Sequence, residues 1–285
     1  KCLEALRAAA PGSDHQLAWA HAFLASARTE ADAAVVRAIL SGEEVIMGLA
    51  LDHDLRWALL QTLAALGAAT DDEIEAEEST DGTAAGLRAA ATARALRPSA
   101  EAKATAWELA TADDTIANAT QEALIAGFTH PTQGALLAPY VQRYFDSVVE
   151  VWERRTSEVA QNVVVGLFPT WASAIGQPTL DACDALLAQD LPAPLRRLLR
   201  EGRADVVRAV AAVDKAGVAL AVGHEKRFEP PILEIMRLLK AGTLGTPLQV
   251  EANFSQDKFL ALAQDNWRLS GKEAPAGPMT ATGIH

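Results

Sequence analysis

Apolar residues recur three and four positions apart through most of residues 1–210, a spacing that gathers them on one face of a helix. Leu17, Trp19, Ala20, Phe23 and Leu24 fit a helix opened by Ser13 and Asp14. A short side-chain oxygen at such a start accepts from the unpaired N–H groups of the first turn. The run from Asp52 to Leu63 predicts another helix, capped by Asp52 and followed by Gly67, a residue suited to the left-handed turn after a helix end. Thr70-Asp71-Asp72-Glu73 opens a third, its acids facing the positive end of the helix dipole. Further helices are predicted over 82–96, 99–110, 113–126, 138–154, 157–167, 179–188 and 195–210, and the chain reads as helical from its first residues. Pro98, Pro131, Pro169, Pro178 and Pro192 fall at stops or first turns. Helices of a few turns joined by short loops predict antiparallel pairs stacked as a HEAT-like α-solenoid. No fixed sequence period accompanies them.

Past residue 210 the pattern changes. Residues 211–215 continue the last helix toward Gly217, and 218–222 form a short unbroken apolar run between Gly217 and Gly223, as a buried parallel strand would. Pro230-Pro231 opens a helix carrying Ile232, Leu233, Ile235, Met236, Leu238 and Leu239, which stops at Gly242. Leu248, Val250, Ala252 and Phe254 then alternate with polar residues, the period of a half-buried strand. The expected fold is therefore mainly α: a solenoid over 1–210, then a small incomplete α/β segment over 211–285. A lone strand leaves backbone groups unpaired, so the second segment is expected to be marginally folded or to lean on the first. The change falls inside one predicted helix, 195–216, with no Gly, Ser or Pro linker between the halves. Evolved domains are more often joined by exposed loops.

Charge follows the same division. Residues 1–210 hold 17 Lys+Arg against 29 Asp+Glu, whereas 211–285 hold 8 against 8, so the whole net charge of −12 sits on the helical part. Nucleic acid and anionic membrane surfaces are excluded as partners, because both want a basic patch. No apolar run is long enough to span a bilayer, and Lys1-Cys2-Leu3-Glu4 has no signal-peptide pattern. Both ends read as cut. Cys2 and Cys183 form no CxxC and are expected as reduced thiols of a cytoplasmic protein. With aromatics at only 5%, the core must be built from Ala, Leu and Val, whose small side chains let helices approach closely.

Candidate chemistry in the first segment is sparse. The acidic stretch Asp71–Asp81 lacks the ligand spacing and central Gly of a calcium loop and reads as a solvated helix face. His15, His21, His53 and His130 are scattered singly, and no metal site is expected. Trp19, Trp57, Trp107, Tyr140, Tyr144 and Trp152 read as core fillers.

Four strings carry a resemblance: Asp52-His53-Asp54-Leu55-Arg56-Trp57-Ala58-Leu59-Leu60, Pro11-Gly12-Ser13-Asp14-His15-Gln16-Leu17-Ala18, Ala91-Thr92-Ala93-Arg94-Ala95-Leu96-Arg97-Pro98 and Ala138-Pro139-Tyr140-Val141-Gln142-Arg143-Tyr144-Phe145. In order and spacing they resemble the C-terminal helical domain of bacterial, above all actinobacterial, aminopeptidase N, over residues 1–209. The resemblance implies a zinc peptidase that removes N-terminal residues from peptides, with this domain closing over the active site and shaping peptide access. The family's zinc is held by an HExxH helix and a further Glu, the intervening Glu activating water. That motif is absent; the nearest string, His224-Glu225-Lys226-Arg227-Phe228, has Phe in place of the second His. The chain alone is therefore expected to be catalytically silent, with peptide substrates met through a catalytic domain it lacks.

The second segment resembles the middle of the Gfo/Idh/MocA oxidoreductases. The matching strings are Ala216-Gly217-Val218, Val222-Gly223-His224-Glu225-Lys226-Arg227-Phe228, Gly242-Thr243-Leu244-Gly245-Thr246-Pro247, Asn266-Trp267-Arg268 and Thr282-Gly283-Ile284-His285. The resemblance implies hydride transfer between NAD(P) and a sugar-like hydroxyl. It places Arg227, Trp267 and Arg268 near the cofactor and His285 at the active site. The GxGxxG fingerprint that seats the pyrophosphate is absent, as is the stretch with the family's catalytic Lys, and Ala281 stands where the family often has Asp. No cofactor is expected on this chain. Two alternatives stay open: an NAD(P)-dependent oxidoreductase fragment with a helical extension, and a non-enzymatic scaffold binding peptide or protein on a concave face.

Overall fold

The structure is a computed structural model that describes residues 1–171 and 174–216, with side chains through 211, and the single positions 237, 238, 241 and 243. The strands expected over 218–222 and 248–254 lie outside the described residues, as does most of the helix expected after Pro230. The chain divides into two units, Lys1–Val218 and Ala219–His285; the following account concerns the first.

No strand occurs among the described residues. In order the helices are α1 (Cys2–Ala8), α2 (Asp14–Ser26), α3 (Glu30–Ser41), α4 (His53–Ala65), α5 (Asp71–Asp81), α6 (Ala84–Leu96), α7 (Ala100–Ala112), α8 (Asn118–Phe128), α9 (Gly134–Leu137), α10 (Pro139–Arg154), α11 (Ser157–Gly166), α12 (Gln177–Leu187) and α13 (Ala193–Ala216). A 3-10 turn, Pro131–Gln133, precedes α9. The starts follow local chemistry. Ser13, Thr29, Asp52, Thr70, Thr83 and Ser99 each accept an N–H of the first turn. Gly67, at φ +73°, supplies the left-handed residue anticipated after α4.

Two helix assignments differ from the sequence reading. Helix α3 has no counterpart among the predicted elements, although Thr29 and Asp32 form a capping box and Gly42 closes it in the left-handed region. Helix α8 starts at Asn118 rather than at Asp113, because the Asp113 carboxylate accepts from the N–H and hydroxyl of Thr115 and makes a turn there.

The helices pair as α1/α2, α3/α4, α5/α6, α7/α8, α10/α11 and α12/α13. In addition α2, α4, α6, α8, α11 and α13 pack one on the next in a continuous row. Across from them, α10 against α12 is the substantial contact between neighbours. A two-layer stack whose helices touch along one row and spread along the other curves toward the touching row. The α2–α4–α6–α8–α11–α13 row is therefore the inner, concave side of this unit.

Small residues permit that closeness. Ala90, Ala93 and Ala95 of α6 are buried. A Cβ on Gly127 of α8 would lie 2.4 Å from the Thr92 carbonyl oxygen and 2.9 Å from the Ala95 Cβ. Polar side chains then tie the row together. Gln61 donates to Ala89 O at 3.0 Å, Thr92 to Ala123 O at 3.0 Å, and Gln121 to Val159 O at 3.4 Å, while the same Gln121 amide reaches Ala110 O of α7 at 2.7 Å. At the helix C-termini, Gln133 donates to Ala65 O and Leu96 O, and Lys103 to Ala95 O at 2.6 Å. These meet carbonyls that have no partner within their own helices.

Trp57, Trp107, Tyr140 and Tyr144 are buried as expected, but Trp19 is 42% exposed and not a core residue. The Trp107–Phe128–Tyr140 and Tyr144–Phe145–Phe168 ring clusters anchor the C-terminal part of the core. The acidic helix α5 keeps the expected solvated side, with Asp71, Asp72 and Glu75 exposed, and it also pairs with its neighbours. Asp71 pairs with Arg97, Glu73 with Arg37, Glu77 with Arg56 and Glu78 with Arg94, and Asp81 accepts from Trp57 Nε1 at 2.8 Å. This helix is a strap holding α3, α4 and α6. Finally, α13 runs unbroken from Ala193 to Ala216, through the point where composition and charge change.

Candidate functional site

Arg227, Trp267, Arg268 and His285, the positions marked by the oxidoreductase resemblance, lie outside the described residues. Of His15, His21, His53 and His130, only His21 and His130 line a common recess, the one between α2 and α4. Among the described residues no group of three His, Cys, Asp or Glu side chains is placed to hold a metal ion, so these residues do not fit a zinc centre. Cys183 is buried with its sulfur 3.7 Å from Leu199 O. Burial, with Asp184 nearby, pushes the thiol up to about 11, so it stays protonated and is no nucleophile.

What the fold does build is a surface. On the inner row, α8 and α11 frame a recess of ≈ 430 Å³. Its floor is apolar, made by Ile125, Ala126 and Val165, the last 57% exposed. Its rim carries the amides of Gln161 and Asn162; Asn162 donates to Glu122 Oε1 at 3.2 Å. An apolar floor edged by amides suits an extended peptide, whose side chains need burial and whose backbone needs partners. Further along the same row, α2 and α4 frame a second recess of ≈ 480 Å³. Sequence reasoning missed both, since each is shared by helices distant in the chain.

On the outer row, α7 and α10 frame a smaller recess of ≈ 180 Å³. Its charges cancel in pairs: Arg143 with Glu108, Arg154 with Glu150 and Arg155 with Asp114. Arg143 also lies over the rings of Trp107 and Tyr140, at 5.5 and 5.7 Å. These contacts join two helices and leave little charge for a ligand.

One buried cation stands apart. Lys103 is 0% exposed, with Nζ on Ala95 O, 3.5 Å from Gly127 O and 5.8 Å from the Phe128 ring. Burial drives its pKa down to about 8. It sits at the C-terminal ends of α6 and α8 and acts as a bolt between them, not as a surface group.

The model of the ERAP1-like C-terminal domain family matches residues 1–208. Aminopeptidase N of Streptomyces lividans is 52% identical over 208 residues, which make up 73% of this chain and 24% of that protein. The chain thus spans about a quarter of the length of this relative. The family match stops at residue 208, inside α13.

Proposed function

Given that the chain belongs to the ERAP1-like C-terminal domain family, as the helical domain of an aminopeptidase N, we propose that its inner row lines the route of peptides to a zinc centre on another domain. The observation that carries this is the α8–α11 groove, apolar along Ile125, Ala126 and Val165 and edged by the amides of Gln161 and Asn162. The described residues supply no metal-holding group of their own, so this surface would contribute binding and access while the bond-breaking chemistry is done elsewhere. Among them, too, no helix is long and apolar enough to cross a membrane.

The test is fluorescence anisotropy of a labelled apolar nonapeptide titrated with the full chain. Weak binding is expected, with Kd of order 0.1–1 mM for one shallow groove. Val165→Asp places a charge on the apolar floor from an exposed position and should weaken binding about tenfold. Equal affinity of the variant and the parent would remove the groove from the peptide route.

A further inference from the structure

The recess between α2 and α4 has a different character from the α8–α11 groove. Its walls are apolar, formed by Leu24, Ala58, Ala65, Leu66, Leu96 and Pro131. Its ionisable lining groups are His21, Arg28 and His130. Among the described residues no Asp or Glu lines it, although acids outnumber bases 29 to 17 over residues 1–210. In so acidic a segment, an acid-free pocket whose charged lining group is Arg28 is a local reversal of charge.

These groups are also available. Arg37, Arg56, Arg94 and Arg97 each pair with an acid of α5. Arg28 has no ion pair among the described residues, and one guanidinium nitrogen donates to Ala27 O at 2.6 Å. Asp32, whose charge feels Arg28, is held by the N–H groups of Arg28 and Thr29 and by the Thr29 hydroxyl. Among the described residues the remaining guanidinium donors have no hydrogen-bond partner.

His130 presents a donor as well. The Thr132 N–H donates to its Nδ1 at 3.4 Å, and the Thr132 hydroxyl lies 2.8 Å from the same atom. A backbone N–H only donates, so Nδ1 is the acceptor and the neutral ring carries its proton on Nε2. No partner for Nε2 occurs among the described residues. Burial, then the charges of Arg28 and Lys103, hold this ring below its ordinary pKa, a sign of positive field at the site. The helix-end carbonyls nearby are already met: Ala27 O by Arg28, and Ala65 O and Leu96 O by Gln133.

We infer that this recess binds a small carboxylate with a short branched aliphatic body. The carboxylate lies between the Arg28 guanidinium and the Nε2–H of His130, and the body rests on Leu24, Ala58, Leu66 and Leu96. Charge-assisted contact to a guanidinium is the strongest single term available there. The volume, ≈ 480 Å³, lies in the range of small-molecule pockets. Inorganic phosphate would satisfy the donors but leave the apolar walls uncovered.

The test is isothermal titration of the full chain with 4-methylpentanoate, with its amide, and with inorganic phosphate. The acid is expected to bind with millimolar Kd, and the amide and phosphate each about tenfold more weakly. Arg28→Gln, at an exposed position, should reduce acid binding about tenfold without moving the urea midpoint. Ala58→Phe, which fills the recess from its wall, should abolish it. On adding the acid, the His130 ring resonances should shift. Amide binding equal to that of the acid, or unchanged binding by the Arg28 variant, would overturn the carboxylate assignment. Phosphate binding as tight as the acid would overturn the role of the apolar walls, and no heat with any probe would overturn the site.

Discussion

Raising the pH from 7 to 9.5 should stabilise the helical unit through Lys103, against the usual trend of alkaline destabilisation. The ammonium is buried, and its pKa falls from 10.5 to about 8 in the folded protein. Below pH 8 the group is charged in both states, and folding carries the full cost of its desolvation. Between about 8 and 10.5 the folded state releases the proton while the unfolded chain keeps it. The unfolded state then binds more protons, so stability rises with pH. The whole gap corresponds to ~3 kcal/mol, of which ~2 kcal/mol is gained by pH 9.5. The carbonyls of Ala95 and Gly127 favour the charged form, so this figure is a ceiling.

Cys183 works in the opposite direction. Its folded pKa of about 11 against an ordinary 9 loses stability as the unfolded thiol ionises. That contribution is common to parent and variant, so the informative quantity is a double difference. Lys103→Met keeps the apolar stem and removes the titrating group. Urea unfolding of both proteins at pH 7 and 9.5 gives four free energies. The parent should gain up to ~2 kcal/mol relative to the Met variant over that interval. A double difference within ~0.5 kcal/mol of zero, or of opposite sign, would refute a buried, depressed Lys103.

Gly127→Ala should lower stability by ~1–2 kcal/mol in the same urea assay, because the new methyl meets the Thr92 carbonyl at 2.4 Å and that overpacking exceeds the ~1 kcal/mol gained from helix propensity. An unchanged or raised midpoint would show that α6 and α8 part without cost. Glu77→Gln removes the charge from a carboxylate 6% exposed that accepts from Arg56 at 2.8 and 2.5 Å. A loss of ~1–3 kcal/mol is expected, against less than ~0.5 kcal/mol for Asp72→Asn on the exposed side of the same helix. Similar small effects from both substitutions would show that the Glu77–Arg56 pair holds no more than an exposed acid of α5 does.

The parts of the fold that were legible are those in which one residue acts on its near neighbours. Ser13, Asp52 and Thr70 cap, and Gly67 turns, through bonds spanning three or four positions, so the sequence displays cause and effect together. Asp113 shows the limit of such reading: a cap and an Asx turn use the same carboxylate and look alike in a string of letters. The acids of α5 were half legible. Their partners Arg37, Arg56, Arg94 and Arg97 come from neighbouring helices or their ends, and only the stacking reveals that Glu77 is buried while Asp71 and Asp72 stay exposed. The basic recess was hidden by the same distance, with His21 and Arg28 at one end of the chain and His130 near its middle. Small residues signalled close helix packing, but not which row they would pave.

The inequality between the two rows of helices also has a mechanical meaning. Where one layer touches throughout and the other is joined in few places, the unit resembles a bent beam whose neutral surface lies near the touching layer. Bending that flattens or deepens the curve then strains the gaps between outer helices and leaves the inner spacing almost unchanged. The stiffest element of such a beam is its tightest inner joint, where α8 meets α6 at Gly127 with no side chain between the backbones. A flexing domain would thus pivot about that joint, and its inner grooves would tilt as rigid pieces and keep their widths.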